Sequence, residues 1–159
     1  MYDPDGEAPT DATNAMVEAL YRADGVIWSS PLYQGSISGA FKNALDWLRL
    51  LGDRDPAYLT DKVIGLISAA GGAQGLQGIN TMEFCVRALR GWAVPLVVPV
   101  ASAWRTFDDA GRSQDEAVER QLKTLGSEVV RVAEHFRVEE SPDHATECEK
   151  ARARVEASA

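Results

Sequence analysis

The sequence predicts an α/β domain built on a parallel sheet with helices on both faces. Three short apolar runs, "GVIW", "KVIGLISAA" and "AVPLVVPVA", alternate with stretches of helical periodicity. Within each run the apolar residues are consecutive rather than alternate, the pattern of strands covered on both sides. Strands that alternate with helices imply right-handed crossovers and hence parallel pairing. A chain of 159 residues is long enough for one such domain with a substantial core.

The elements follow in order. "TDATNAMVEALYRADG" reads as a helix: Thr10 or Asp11 can cap it, Met16, Val17, Leu20 and Tyr21 share one face, and Gly25 stops it. "VIWSS" is the first strand. From Gly39 to Leu51 the residues Phe41, Ala44, Leu45, Leu48 and Leu51 recur at helical spacing, with Gly52 as the expected stop. "DRDPAYLTD" is a turn-rich connection. The second strand, in "KVIGLISAA", empties into the glycine-rich "GGAQGLQG". A helix with Ile79, Met82, Val86 and Leu89 on one face follows and ends near Gly91.

The third strand carries Pro95 and Pro99. Proline removes a ladder donor, so this strand belongs at a sheet edge or pairs along only part of its length. In "SQDE", Ser113 stands three residues before Glu116, the spacing of a capping box. It opens a long helix whose seam is Val118, Leu122, Leu125, Val129, Val132 and Phe136. Residues 1–138 are expected to form the domain, and 139–159, polar and without periodicity, a tail.

Composition removes several functions. A net charge of −8 and a pI near 4.7 argue against nucleic acid, which needs clustered Lys and Arg. The longest apolar stretch, "WAVPLVVPVASAW", is shorter than the roughly 20 residues of a membrane span. No basic-then-apolar segment opens the sequence, so the expected location is cytoplasmic. Cys85 and Cys148 sit in unlike surroundings and predict no disulfide framework. His135 and His144 lack partners at metal-ligand spacing. Ser29, Ser30 and Ser36 lack the elbow of a hydrolase. Cys85, Trp28 and Trp47 read as core residues and Asp46 as a local cap or pair. Trp104, after the last strand, can reach the rim of the site or a neighbouring subunit.

In parallel α/β sheets ligands sit beyond the carboxyl ends of the strands. Two segments hold that place. Pro31–Ser36 offers N–H groups from Leu32 to Ser36, the Ser36 hydroxyl and the face of Tyr33. Pro31 stiffens the strand exit, and Gly35 lets the backbone approach a ligand. The positive end of the next helix favours an anion or an electron-rich ring edge. Such a turn either links two elements or holds a flat, anionic ligand, and spacing leaves both open. The second segment is neither a Walker loop nor a dinucleotide fingerprint, because Gly71, Gly72, Gly75 and Gly78 are spaced differently. Side by side, the two turns would wall one planar ligand.

The stretch "SPLYQGSISGAFKNALDW" resembles the signature of the NADPH-dependent FMN reductase family, flavodoxin-like proteins that include quinone, chromate and azo-dye reductases. Pro31, Tyr33, Gly35, Ser36, Gly39, Ala40, Lys42, Asn43, Ala44, Leu45, Asp46 and Trp47 match it, and Gln34 stands where Asn is commoner. Ser68 and Gly71–Gly75 match the family's second turn, and the resemblance runs to about residue 137. It implies a three-layer flavodoxin-like fold of strand order 2-1-3-4-5. It also implies FMN as cofactor, NADPH or NADH as co-substrate, and flat oxidants such as quinones as acceptors. By the same resemblance Pro31, Leu32, Tyr33, Gln34, Gly35 and Ser36 hold FMN largely through backbone N–H groups. Ser68, Ala70, Gly71, Gly72 and Gly75 then lie against the other side of its ring. The cofactor carries the hydride chemistry, so no catalytic side chain is nominated. The alternative is a non-catalytic flavodoxin-like carrier or interaction protein.

One departure stands out. The family's opening strand, phosphate-cradling loop, first helix and second strand have no match, so the resemblance implies an N-terminally incomplete member. Val26–Trp28 would then be a bare apolar sheet edge, which predicts self-association into a homo-oligomer.

Overall fold

In the computed structural model, which describes residues 1–6 and 8–138, the chain opens its first helix, α1 (Asp11–Arg22), at Thr10. The Thr10 hydroxyl accepts the Thr13 N–H at 3.2 Å, so Thr10 rather than Asp11 is the cap. There follow β1 (Gly25–Tyr33), β2 (Ser36–Ile37), α2 (Gly39–Trp47), a 3-10 turn (Leu48–Leu51), β3 (Val63–Ala69) and α3 (Gly75–Ala88). The remaining elements are β4 (Trp92–Val100), a short α4 (Ala103–Thr106) and α5 (Glu116–Val138). The tail expected over 139–159 lies outside the described residues.

The strands stand in the order β2-β1-β3-β4, with β1, β3 and β4 parallel and β2 antiparallel to β1. Helices cover both faces. On one, Val17, Leu45, Ile79, Met82 and Val86 pack with Trp28, Ile64 and Leu66; on the other, Leu125, Val129 and Ala133 of α5 pack on Val63, Val94 and Val98. Burying each of the Val, Leu, Ile and Met side chains contributes about 1.5–3 kcal/mol. Helix α5 comes close because Gly25 and Gly65 lack side chains: a Cβ on either would stand 2.8 Å from Val129.

β4 is an edge strand, as its prolines predict. Ile64 pairs with Ala93 and Leu66 with Val97, so two additional residues of β4, around Pro95, bulge out of the ladder. Several boundaries differ from the sequence reading. The first strand does not stop at Ser30 but continues through Pro31 to Tyr33. Ser38, for which the sequence reading named no role, caps α2, its hydroxyl accepting the Phe41 N–H at 3.1 Å. Gly52 has φ −62°, so it ends the 3-10 turn without a left-handed cap. The Ser113–Glu116 capping box does not form. Asp115 caps α5 instead, accepting from Ala117 at 2.8 Å and Val118 at 3.2 Å, while Ser113 braces Asp115.

β1 has one unpaired side. The Val63 N–H donates to the Asp24 carbonyl at 3.0 Å, and hydrogen bonding alternates along a parallel ladder. Val26, Trp28 and Ser30 therefore bond toward β3, whereas Gly25, Ile27 and Ser29 turn their N–H and C=O groups outward. β2 covers only Leu32 and Tyr33, and no other strand pairs with that side among the described residues. The bare edge expected at Val26–Trp28 is present, and Ile27 is 46% exposed on it.

Candidate flavin-binding site

The sheet brings the two nominated segments together. Pro31 is the parallel partner of Ala69, so the β1–β3 ladder ends there and the two chains leave it side by side. The first segment is a β-hairpin rather than a strand-to-helix turn. Tyr33 pairs with Ser36 across two left-handed residues, Gln34 (φ 50°) and Gly35 (φ 83°). Two such residues give a reversal whose twist matches that of the flanking strands. Tyr33 is 63% exposed, Gln34 and Gly35 project to solvent, and Pro31, Leu32 and Ser36 are half-buried.

Two serines that the sequence reading did not nominate hold this hairpin. The buried Ser30 hydroxyl accepts the Ser38 N–H at 3.1 Å and donates to the Pro31 carbonyl at 3.1 Å. Ser38 then caps α2. A serine immediately before the helix-forming "GAFKNAL" was the available signal for Ser38; Ser30 gave none, since its partner is set by the hairpin.

The second segment divides. Ala70 is buried and fixed, its N–H donating to Val100 at 2.9 Å and its carbonyl accepting from Ala103 at 3.1 Å. Gly71 and Gly72 are exposed, and a Cβ on Gly71 would meet nothing within 4 Å, which leaves the space above it open. Gly75 belongs to α3 and packs on Pro99 and the Ser68 carbonyl. Ser68 is fully buried under α3: a Cβ on Gly78 would come within 2.6 Å of its hydroxyl, which has no hydrogen-bond partner among the described residues. Ser68 and Gly75 thus back the site instead of lining it.

The close Ser68–Gly78 packing carries the first turn of α3 to the hairpin, where Gln77 Oε1 lies 3.5 Å from the position of a Cβ on Gly35. Hairpin and glycine turn lie side by side at the carboxyl end of the sheet. No hydrogen bond among the described residues uses the N–H groups of Gln34, Gly35, Gly71, Gly72 or Ala73. Unpaired donors beside an exposed tyrosine suit the carbonyl and nitrogen edge of a planar ring. The residues present therefore fit the ring portion of FMN.

The other candidates fall away. Asp46 is engaged by Lys42 one helical turn before it, an exposed pair of small energetic weight. Burial pushes the Cys85 thiol above its ordinary range, which keeps it protonated and poorly nucleophilic. The described residues contain no cluster of three metal-ligating side chains, and no helix among them is long and apolar enough to cross a membrane.

The family model of the NADPH-dependent FMN reductases matches residues 1–105. The chain belongs to that family. It is 30% identical over 115 residues to the NADPH-dependent FMN reductase ArsH of Acidithiobacillus ferrooxidans, covering 72% of this chain and 48% of that one. An FMN-dependent NADPH-azoreductase of Staphylococcus aureus is 38% identical over 78 residues, 49% of this chain and 38% of its own. A second ArsH, from Rhizobium meliloti, is matched over 57% of its length, so this family member spans about half the length of the ArsH relatives it matches.

Solved structures agree on architecture. RosB, determined with 8-demethyl-8-formylriboflavin-5'-phosphate bound, superposes with a TM-score of 0.70 at 15% identity, over 98% of this chain and 68% of that chain. An oxidoreductase of Corynebacterium diphtheriae gives 0.64 at 21% identity, over 84% and 66%. Flavodoxin 1 of Bacillus cereus gives 0.50 at 18% identity, over 72% and 69%. At such identities the likeness concerns the fold, which is flavodoxin-like.

Proposed function

We propose that this chain forms the ring-binding side of an NAD(P)H-dependent FMN reductase acting on flat oxidants of the quinone type. What supports the reading is that the hairpin at Gln34–Gly35 and the turn at Gly71–Ala73 follow adjacent strands at one end of the sheet, each with N–H groups that no hydrogen bond among the described residues uses. Pro31 and Ala70 fix the two chain exits, Gly35 and Gly71 keep side chains out of the gap, and Tyr33 offers a face for stacking. Bound FMN would supply the hydride chemistry, taking electrons from NADPH or NADH and passing them to the oxidant. The chain's part is to bind and orient the ring. The bare edge of β1 adds a homo-oligomer to this reading.

Fluorescence titration of the purified protein with FMN tests it, followed by anaerobic addition of NADPH. Saturable quenching and bleaching of the bound flavin's visible band are expected. Absence of saturable binding, or binding that Gly35→Val leaves untouched, defeats the assignment. Binding without bleaching would support a carrier in place of a reductase.

A further inference from the structure

Beyond the flavin slot, the structure sets an aromatic and a cationic group on a rigid mount beside the second turn. The Ala103 N–H donates to the Ala70 carbonyl at 3.1 Å, one residue before Gly71, and Trp104 and Arg105 follow directly. The mount is well braced. Ser102 is left-handed (φ 47°), the Arg105 N–H returns to its carbonyl at 2.7 Å, and the nearly buried Thr106 donates its hydroxyl to Ala101 at 3.1 Å. On it Trp104 is 74% exposed, with the Arg105 guanidinium carbon 5.4 Å from its ring centroid.

Arg105 takes part in no ion pair among the described residues, although the chain carries a net charge of −8. The nearby carboxylate of Asp108 is already engaged by Arg112 at 2.9 Å. An indole this exposed on a fixed turn is covered little by the described residues. An indole face stacks on a nucleobase, and a planar guanidinium fork grips phosphate oxygens.

We infer that Trp104 and Arg105 receive the adenine nucleotide end of the hydride donor, Trp104 stacking on the base and Arg105 binding the 2'-phosphate that distinguishes NADPH from NADH. The inference rests on the flavin-reductase reading, because that reading gives a nicotinamide nucleotide reason to approach this rim. Arg105 is a specificity-determining residue in this arrangement and takes no part in the redox step.

The test is calorimetric titration of FMN-supplemented protein with NADP+ and, separately, NAD+, with FMN affinity measured independently for each variant. Trp104→Ala should weaken both nucleotides about tenfold, and Trp104→Phe, which keeps a ring, should recover most of the loss. Arg105→Ala should weaken NADP+ about tenfold and NAD+ less than about twofold, and should flatten the salt dependence of NADP+ binding. An unchanged NADP+/NAD+ ratio in Arg105→Ala overturns the inference. So does a Trp104→Ala protein that changes only its sedimentation, which would make the indole a subunit contact. Both failures leave FMN affinity intact. Loss of the reductase reading is recognised separately, by wild-type protein that binds no FMN.

Discussion

Gln34 holds a backbone conformation that its side chain disfavours. A left-handed residue other than glycine costs about 1–2 kcal/mol, and Asn tolerates the region better than Gln because its short amide can bond locally. The hairpin accounts for why Asn is commoner at this place in the resemblance. Gln34→Asn should raise thermal stability by about 0.5–1 kcal/mol without weakening FMN, as read by denaturant melts and flavin titration. Ser68 offers a second residue-scale contrast. Its hydroxyl is buried and has no hydrogen-bond partner among the described residues, so Ser68→Ala should stabilise by about 1 kcal/mol. Gly78→Ala, which forces a methyl to 2.6 Å from that hydroxyl, should destabilise by about 1–3 kcal/mol and weaken flavin binding by moving α3. A Ser68→Ala variant less stable than wild type would show that the hydroxyl has a partner after all.

At the scale of elements, the helices and strands were legible because their periodicities are imposed by burial, and burial is written in apolar spacing. The faces of α3 and α5 came out as read, and the prolines of β4 placed it at an edge. Caps were legible only as candidates. Ser113 and Asp115 both precede α5, and the choice fell to Asp115 because its carboxylate reaches two N–H groups. Asp115→Ala should therefore cost about 1 kcal/mol and Ser113→Ala a fraction of that, measurable by chemical denaturation. β2 escaped notice, since two residues are too short to show a period, and so did α4. The first nominated turn was found in the right place yet misread in form, because nothing in "PLYQGS" distinguishes a helix entry from a hairpin until Ser36 pairs with Tyr33.

For the whole molecule, the proposal of a homo-oligomer rests on the unpaired side of β1. Gly25, Ile27 and Ser29 present hydrogen-bonding groups outward beside an exposed isoleucine, the arrangement that recruits another strand. Sedimentation should detect concentration-dependent oligomers that Ile27→Lys, a charge placed on the edge, shifts toward monomer. A monodisperse wild-type monomer would refute this. The donors proposed at Gln34, Gly35 and Gly71–Ala73 suit the ring, so riboflavin should bind within about threefold of FMN. A preference of a hundredfold or more for FMN would show that a phosphate grip exists elsewhere in the assembly.

The amino-acid sequence by itself determined the α/β class, the order of the principal elements and the two chain reversals at which a flavin ring would lie. These follow from local spacing of apolar, glycine and proline residues, which acts within one or two turns of chain. The tertiary structure decided which of those residues stay exposed at the two reversals. Ser68 and Gly75 went beneath α3, Ser30 and Ser38 became the braces of the hairpin, and Trp104 with Arg105 arrived beside Gly71. Those outcomes depend on strand register and on how closely a helix can approach a sheet, and both are set by contacts between residues far apart in the chain.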